Sequence, residues 1–268
     1  MDSLFVQWKR QSEETSDNMQ IAYRSDIGKK RTVNQDYVSW FKNKNNQPLM
    51  IVCDGMGGHK AGDVASEMAV SHLGQAWKQT SFQDIDRLSS WLLDSIQKIN
   101  SLIFQKSLDF IDLDGMGTTL VAAAFVKEEV LIANVGDSRA YLFREDQLKQ
   151  LTEDHSLVNE FVKSGEISLE DAQHHPQKNI VTRSVGSRKM VQVDLVAFPA
   201  RPKDILILCT DGLTNMISEK EIKQILKQSS PLEKKTDQLI ELSNDAGGSD
   251  NITVLITEFV EKKEGGTW

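Results

Sequence analysis

The run Leu49-Met50-Ile51-Val52-Cys53 ends abruptly at Asp54-Gly55, with two further glycines at positions 57 and 58. Five consecutive apolar residues bounded in this way read as a strand buried on both faces. A carboxylate then stands where the strand leaves its sheet, and the glycines keep side chains away from whatever approaches it. The pattern recurs at Ile205-Leu206-Ile207-Leu208-Cys209-Thr210-Asp211-Gly212. Its mirror image appears twice: Asp36 opens Tyr37-Val38-Ser39-Trp40-Phe41, and Asp250 opens Asn251-Ile252-Thr253-Val254-Leu255-Ile256. In an antiparallel sheet the exit of one strand lies beside the entry of its neighbour. Two Asp at exits and two at entries can therefore gather along one edge, and that edge is the candidate site. Any single Asp-Gly is an ordinary strand-ending turn. The set, with its consistent edge parity, reverses those odds.

Residues 1–18 are polar and read as a loosely ordered N-terminal extension, 19–260 as the folded domain and 261–268 as a short tail. Gln20 to Arg24 reads as a first strand, and a basic loop holding Lys29, Lys30 and Arg31 leads from it to Asp36. After the glycines, Ala65, Met68, Ala69, Leu73 and Trp77 recur at helical spacing. A second such stripe runs through Ile85, Leu88, Leu92, Ile96, Ile99 and Ile103, so two helices cover one sheet face. Asp114-Gly115-Met116-Gly117-Thr118-Thr119 opens a strand from Leu120 to Val126, and Val130 to Val135 returns. Ala140 to Phe143 leaves again after Gly136-Asp137-Ser138-Arg139, which reads as an antiparallel meander with Asp137 a turn residue in preference to a metal ligand. The polar stretch at about 152–186, with short helices over Leu157–Lys163 and Ser168–Gln173, reads as a flap over the surface. Strands are expected at Val191–Val196 and Ile205–Thr210. A second helical layer follows from Glu219 to Leu226 and from Leu232 through Leu242, and Ile252–Phe259 closes the fold as an edge strand.

The formal charge of −8 argues against a nucleic-acid or anionic-membrane surface as the main partner. No apolar run approaches the roughly 20 residues of a membrane span, so no membrane insertion is expected. Met1 to Asn18 lacks the apolar region of a signal peptide, and Cys53 and Cys209 sit inside buried runs, which together fit a reducing cytoplasm.

Hard divalent cations such as Mg²⁺ and Mn²⁺ want oxygen ligands. Asp36, Asp54, Asp211 and Asp250 offer them, and the Gly55 carbonyl can add one. Carboxylates gathered so closely repel one another unless cations sit between them. Two such cations would share a water acidified into a nucleophile, and Arg31 would hold phosphoryl oxygens by charge-assisted hydrogen bonds. No Ser-His-Asp or cysteine nucleophile pattern competes with this reading. Phosphate monoesters, slow to hydrolyse unaided and rich in negative charge, are the substrates that suit it.

Arg31-(x)4-Asp36, Asp54-Gly55-Met56-Gly57-Gly58, Asp114-(x)2-Gly117-Thr118-Thr119, Gly136-Asp137-Ser138-Arg139, Asp211-Gly212 and Asp250-Asn251 occur in the order seen in metal-dependent Ser/Thr phosphatases of the PP2C type. The resemblance runs from about Gln20 to Phe259 and looks closest to the bacterial branch, given His59 after the glycines and the segment Thr152 to Glu160. It implies an α+β fold, a four-layer α/β/β/α sandwich of two antiparallel sheets flanked by helices, with a dinuclear Mn/Mg site between the sheets. It further implies that Asp54 bridges two metals with the Gly55 carbonyl on one of them. Asp211 and Asp250 ligate, Asp36 ligates directly or through water, and Arg31 binds the substrate phosphate. Asp114 matches the aspartate of a third metal, and the flap influences substrate choice. Phosphoprotein substrates are implied as partners, together with a membrane-anchored Ser/Thr kinase that the enzyme opposes.

Three departures bear on the chemistry. Gln35 stands where many eukaryotic members carry a Glu ligand, which shifts coordination onto Asp36. Met56 replaces their general-acid His, with His59 the nearest histidine in sequence. Asn215 occupies a position that is Asp in some members, which predicts a weaker third site. Two other readings compete. Phosphate cradling by Gly55–Gly58 for nucleotide binding fails the P-loop spacing. An inactive phosphatase-like binding module would lack the metal aspartates, which are present.

Overall fold

The computed structural model describes residues 10–15, 19–58 and 61–260; His59 and the 261–268 tail lie outside it. The long apolar run becomes strand β4 (Pro48–Met56), paired antiparallel with β3 (Asp36–Lys42) on one side and β6 (Leu120–Val126) on the other. With β7 (Glu129–Val135) and β10 (Asp194–Pro199) they form one sheet in the order β10-β7-β6-β4-β3, and the two-residue β5 (Gly117–Thr118) pairs with the end of β4. The other sheet has the order β1-β2-β12-β11-β8-β9, built from Arg10–Thr15, Met19–Asp26, Ile252–Phe259, Ile205–Cys209, Arg139–Arg144 and Gln147–Gln150.

Both sheets are buried on both faces, which is why their central strands read as continuous apolar runs. Alternate residues divide between layers. On β4, Leu49, Ile51 and Cys53 pack under α1 (Gly62–Trp77) and α2 (Ile85–Asp109), while Met50 and Val52 face the other sheet. On β11, Leu206 and Leu208 meet them, and Ile205, Ile207 and Cys209 pack on the second helical layer. That layer is α5 (Asp211–Thr214), α6 (Glu219–Leu226) and α7 (Leu232–Asp245). The result is the expected four-layer α/β/β/α sandwich. Between the sheets' ends the flap carries α3 (Leu157–Ser164) and α4 (Leu169–His174).

Four expectations need correction. Arg10–Thr15, read as part of an extension, is an edge strand paired residue by residue with β2. Ile252–Phe259 is not an edge strand but sits between β2 and β11, taking hydrogen bonds from both. The strand expected at Val191–Val196 begins three residues later, at Asp194. The expected three-strand meander breaks after two: β6 pairs with β7, but β8 belongs to the opposite sheet. Residues 136–138 therefore carry the chain from one sheet to the other, with Gly136 at φ +107° making the turn.

Candidate active site

The β3–β4 register sets Asp36 opposite Asp54. Both continue the strand parity of Val38, Met50 and Val52, so they sit at the end of the face turned to the other sheet. From that other sheet Thr210 and Thr253 follow the parity of Leu208 and Leu255. Thr210 Oγ1 donates to Asp36 Oδ2 at 2.9 Å and accepts the Thr253 N–H at 3.0 Å. The Ser25 and Thr253 hydroxyls bond at 2.7 Å. A layer of hydroxyls thus separates the hydrocarbon core from the carboxylates. Asp211 follows Thr210 as the first residue of α5, and Asp250 stands two residues before β12.

These acids feel one another. Burial, reinforced by Asp211 and Asp250, pushes the Asp36 carboxyl up to about 7 against the hydrogen bonds from Thr253 and Thr210. Asp54 is raised well above the carboxylate range by burial and then by Asp36, Asp211, Asp137 and Asp250. Asp211 is raised by burial and by Asp250. The fifth member was not expected: Asp137, in the turn between sheets, is pushed up to about 8 by burial, Asp211 and Asp154. Its signal in the sequence was the Gly136-Asp137-Ser138-Arg139 motif, which a local turn explains equally well.

Two buried carboxylate oxygens, Asp36 Oδ1 and Asp211 Oδ1, have no hydrogen-bond partner. Buried acceptors of this kind are otherwise paired, and a charged one more so. Divalent cations fit them. Among the described residues no group of three or more His, Cys, Asp or Glu side chains is arranged to hold a metal ion by itself. An open row of carboxylates with spare oxygens suits hard cations that keep several waters, and does not suit a closed structural zinc site.

The framework around the acids is backbone-tight. The Asp54 N–H donates to Thr119 Oγ1 at 2.8 Å, while its carbonyl accepts from Thr118 Oγ1 and from the Thr119 N–H, each at 2.8 Å. That is the role of the Gly-Thr-Thr element. A Cβ on Gly55 would lie 2.0 Å from the Gly62 carbonyl, and one on Gly212 would lie 1.9 Å from the Asn251 carbonyl. Only glycine permits either approach. Asn251 is a further organiser, legible in the sequence only as the neighbour of Asp250. Its Nδ2 donates to the carbonyls of Ile27 and Val33 at 2.9 and 3.0 Å, and its Oδ1 accepts the Gln35 N–H at 2.8 Å. It thereby ties the basic loop to the acidic edge. On that loop Arg31 Nη2 donates to Asp250 Oδ2 at 2.8 Å, with about half of the Arg31 side chain exposed. Asn215 Nδ2 donates to Asp211 Oδ2 at 2.9 Å. Gln35 contributes its carbonyl, which accepts from the Gly55 N–H and from Ser66 Oγ at 3.1 and 2.6 Å. Asp114 is exposed in the turn before β5.

Both stems of the flap are clasped at the same end of the sheets. His155, only 4% exposed, accepts the Gly136 N–H on Nδ1 at 3.0 Å, so its Nε2 carries the proton donated to Asp194 Oδ2 at 3.0 Å. Arg183, at the flap's other end, donates to Asp194 Oδ1 at 3.1 Å. Arg139 grips Asp154 through Nε and Nη2 and reaches the Tyr141 hydroxyl at 2.9 Å. A cleft of about 770 Å³ opens between the flap and α5–α6, with Asp137 and Asp211 among its walls.

A sequence model of the protein phosphatase 2C family matches residues 27–253. The chain belongs to that family. It is a protein phosphatase of the metal-dependent 2C type and of the bacterial branch. The serine/threonine phosphatase stp of Listeria welshimeri is 51% identical over 241 residues, spanning 90% of this phosphatase and 96% of that protein. A solved serine/threonine phosphatase of S. agalactiae superposes with a TM-score of 0.87 at 44% identity, covering 91% of this chain and all of that one. The catalytic domain of the phosphatase PstP, solved in complex with two manganese ions, superposes with a TM-score of 0.81 at 33% identity, over 91% of this chain and 99% of that one.

Proposed function

We propose that this phosphatase hydrolyses phosphoserine and phosphothreonine monoesters of proteins at two divalent cations, Mn²⁺ or Mg²⁺, held along the carboxylate edge. The observation that carries the reading is the pair of buried, partnerless oxygens on Asp36 and Asp211, within a set of acids that burial and mutual repulsion push toward neutrality. The two manganese ions of the PstP relative support the count.

In this reading Asp54, the Gly55 carbonyl, Asp211, Asp250 and Asp36 would hold the two cations. Asp114 serves a third, weaker ion. When bound, the cations supply an acidified water as nucleophile and neutralise charge on the phosphoryl group. The chain does the rest by position. Thr210 holds Asp36 through one oxygen and leaves the other for coordination. Asn215 does the same for Asp211. Arg31 uses one of its five N–H donors on Asp250, and its exposed remainder orients phosphoryl oxygens. Removing a phosphate deletes about −1.5 to −2 charges from the target and reverses the local switch. The partners are phosphoproteins and a membrane-anchored Ser/Thr kinase that made them, and the enzyme works in the cytoplasm. No helix among the described residues is long and apolar enough to cross a membrane.

Calorimetric titration of EDTA-stripped protein with Mn²⁺ tests the site. At least two binding events are expected, and fewer in Asp54→Asn. Absence of binding would remove the mechanism and favour a phosphatase-like binding module.

A further inference from the structure

Lys29-Lys30-Arg31 is the longest uninterrupted basic run in a chain of net charge −8, and the fold sets it against the acidic edge. A Cβ on Gly28, at φ +78°, would lie 2.1 Å from the Asp250 carbonyl oxygen, so the loop backbone rests directly on the backbone of one of the acids. Further ties keep it there. Buried Asp26 accepts the Gly28 N–H at 2.8 Å and Asn244 Nδ2 at 3.0 Å through the same oxygen. The Lys29 N–H donates to the Gly248 carbonyl at 2.8 Å. Asn251 holds both shoulders of the loop through the Ile27 and Val33 carbonyls. The backbone is fixed, while all three basic residues are exposed.

The three cations are not equivalent. Lys29 Nζ reaches Asp245 Oδ1 at 3.3 Å, at the end of α7, and Arg31 Nη2 is engaged by Asp250. Lys30 stands between them, and among the described residues it makes no ion pair. Asp245 and Asp250 thus offset two of the three charges and leave the third. An unpaired surface lysine is ordinarily just solvated. This one is set apart by its place, one residue from the guanidinium that meets the phosphoryl group, on a loop that cannot swing away. Adjacent residues of any trans chain have Cα atoms about 3.8 Å apart. With the phosphoryl group at Arg31, a neighbouring substrate side chain therefore comes within the span of the lysine arm. A flexible stem carrying a compact charge tolerates an anion at a range of positions, which a rigid guanidinium fork does not.

We infer that Lys30 is a specificity-determining residue that receives a second anionic group, carried by the substrate next to the phosphorylated side chain. A carboxylate and a second phosphate share that chemistry. The inference rests on the phosphoprotein phosphatase reading above. The surface of so acidic a chain repels a flanking acid in general, and Lys30 turns that repulsion into attraction at the one place where the substrate is held.

The test uses four substrates with Mn²⁺. Three are phosphothreonine peptides, identical except that the flanking residues are Gln in the first and Glu in the second, while the third carries a neighbouring phosphothreonine and is followed by its first phosphate released. The fourth, p-nitrophenyl phosphate, has no flanking chain. At low ionic strength the wild type is expected to favour the Glu peptide over the Gln peptide about threefold or more in kcat/KM, through KM, the scale of an exposed ion pair. The preference should vanish at about 1 M salt, where screening acts within about 3 Å. The doubly phosphorylated peptide should gain at least as much, since its flanking group carries about −1.5 to −2 charges. A gain with only one of the two names that group as the occupant and supports the inference. Lys30→Glu, at an exposed position, is expected to invert the order and Lys30→Arg to keep it. Both should leave the Gln peptide and p-nitrophenyl phosphate within twofold of wild type. Equal kcat/KM for all three peptides in the wild type would overturn the role of Lys30 while leaving the phosphatase reading intact. A preference that survives Lys30→Glu would overturn it too. No turnover of any of the four substrates would strike at the phosphatase reading and take the inference with it.

Discussion

Asp36 and Asp54 are direct cross-strand partners at the ends of β3 and β4, both on the face turned toward the second sheet. Like charges set opposite one another on a sheet destabilise it, and here burial adds to the repulsion. With unfolded values near 3.8, Asp36 near 7 and Asp137 near 8, the native state holds more protons than the unfolded chain across that window. Metal-free protein should therefore lose stability as pH rises from about 4 to about 8, the reverse of the usual carboxylate behaviour. Mn²⁺ at a hundredfold excess over its dissociation constant should restore about 2.7 kcal/mol at pH 8. Thermal unfolding with EDTA and with Mn²⁺ at several pH values checks both signs.

Arg31 is half exposed and uses a single hydrogen bond to Asp250. Arg31→Ala should raise KM for a phosphopeptide about tenfold or more, the scale of a charge-assisted hydrogen bond, and lower kcat less. Steady-state kinetics at saturating Mn²⁺ separate the two. An unchanged KM would count against Arg31 as the phosphate clamp.

His155→Ala would leave the Gly136 N–H and one Asp194 oxygen without their present partners. A loss of about 1–3 kcal/mol is expected from denaturant unfolding, the usual penalty for stranding buried polar groups. Arg183→Ala, whose bond to Asp194 is partly exposed, should cost roughly 1 kcal/mol or less. Equal losses would mean that the clasp is not centred on the histidine.

Gly212→Ala would drive a methyl to 1.9 Å from the Asn251 carbonyl, a backbone atom with no rotamer to escape into. It should destabilise the protein by about 1–3 kcal/mol or more and displace Asp211 with it. Gly58→Ala meets nothing within 4 Å and should be near neutral. Parallel unfolding curves of the two variants make the comparison.

Most of the fold was legible because buried strands and amphipathic helices write themselves as local periodicity. β4, β6 and β11 are continuous apolar runs, and α6 spans the residues its pattern marks. Which strand pairs with which is a long-range matter. Ile252–Phe259 looked like an edge because it comes last, yet its apolar residues on both faces fit a central place between β2 and β11. Arg10–Thr15 has no apolar alternation to announce it and is a strand only because β2 offers an edge. At the site, Asp36, Asp54, Asp211 and Asp250 were legible as strand-end acids. Asp137 was not, since its inclusion depends on β8 changing sheets. Asn251 was legible only as the neighbour of Asp250, because a hydrogen-bonding hub has no pattern of its own.

The most direct measurement is phosphate release from a phosphothreonine peptide by the wild type with Mn²⁺, by the wild type with EDTA, and by Asp211→Asn with Mn²⁺. The carboxylate edge as a cation-dependent hydrolytic centre predicts turnover in the first case only, with Asp211→Asn still folded because it removes a charge rather than core volume. Turnover in EDTA, or near-wild-type turnover by folded Asp211→Asn at saturating Mn²⁺, would contradict it.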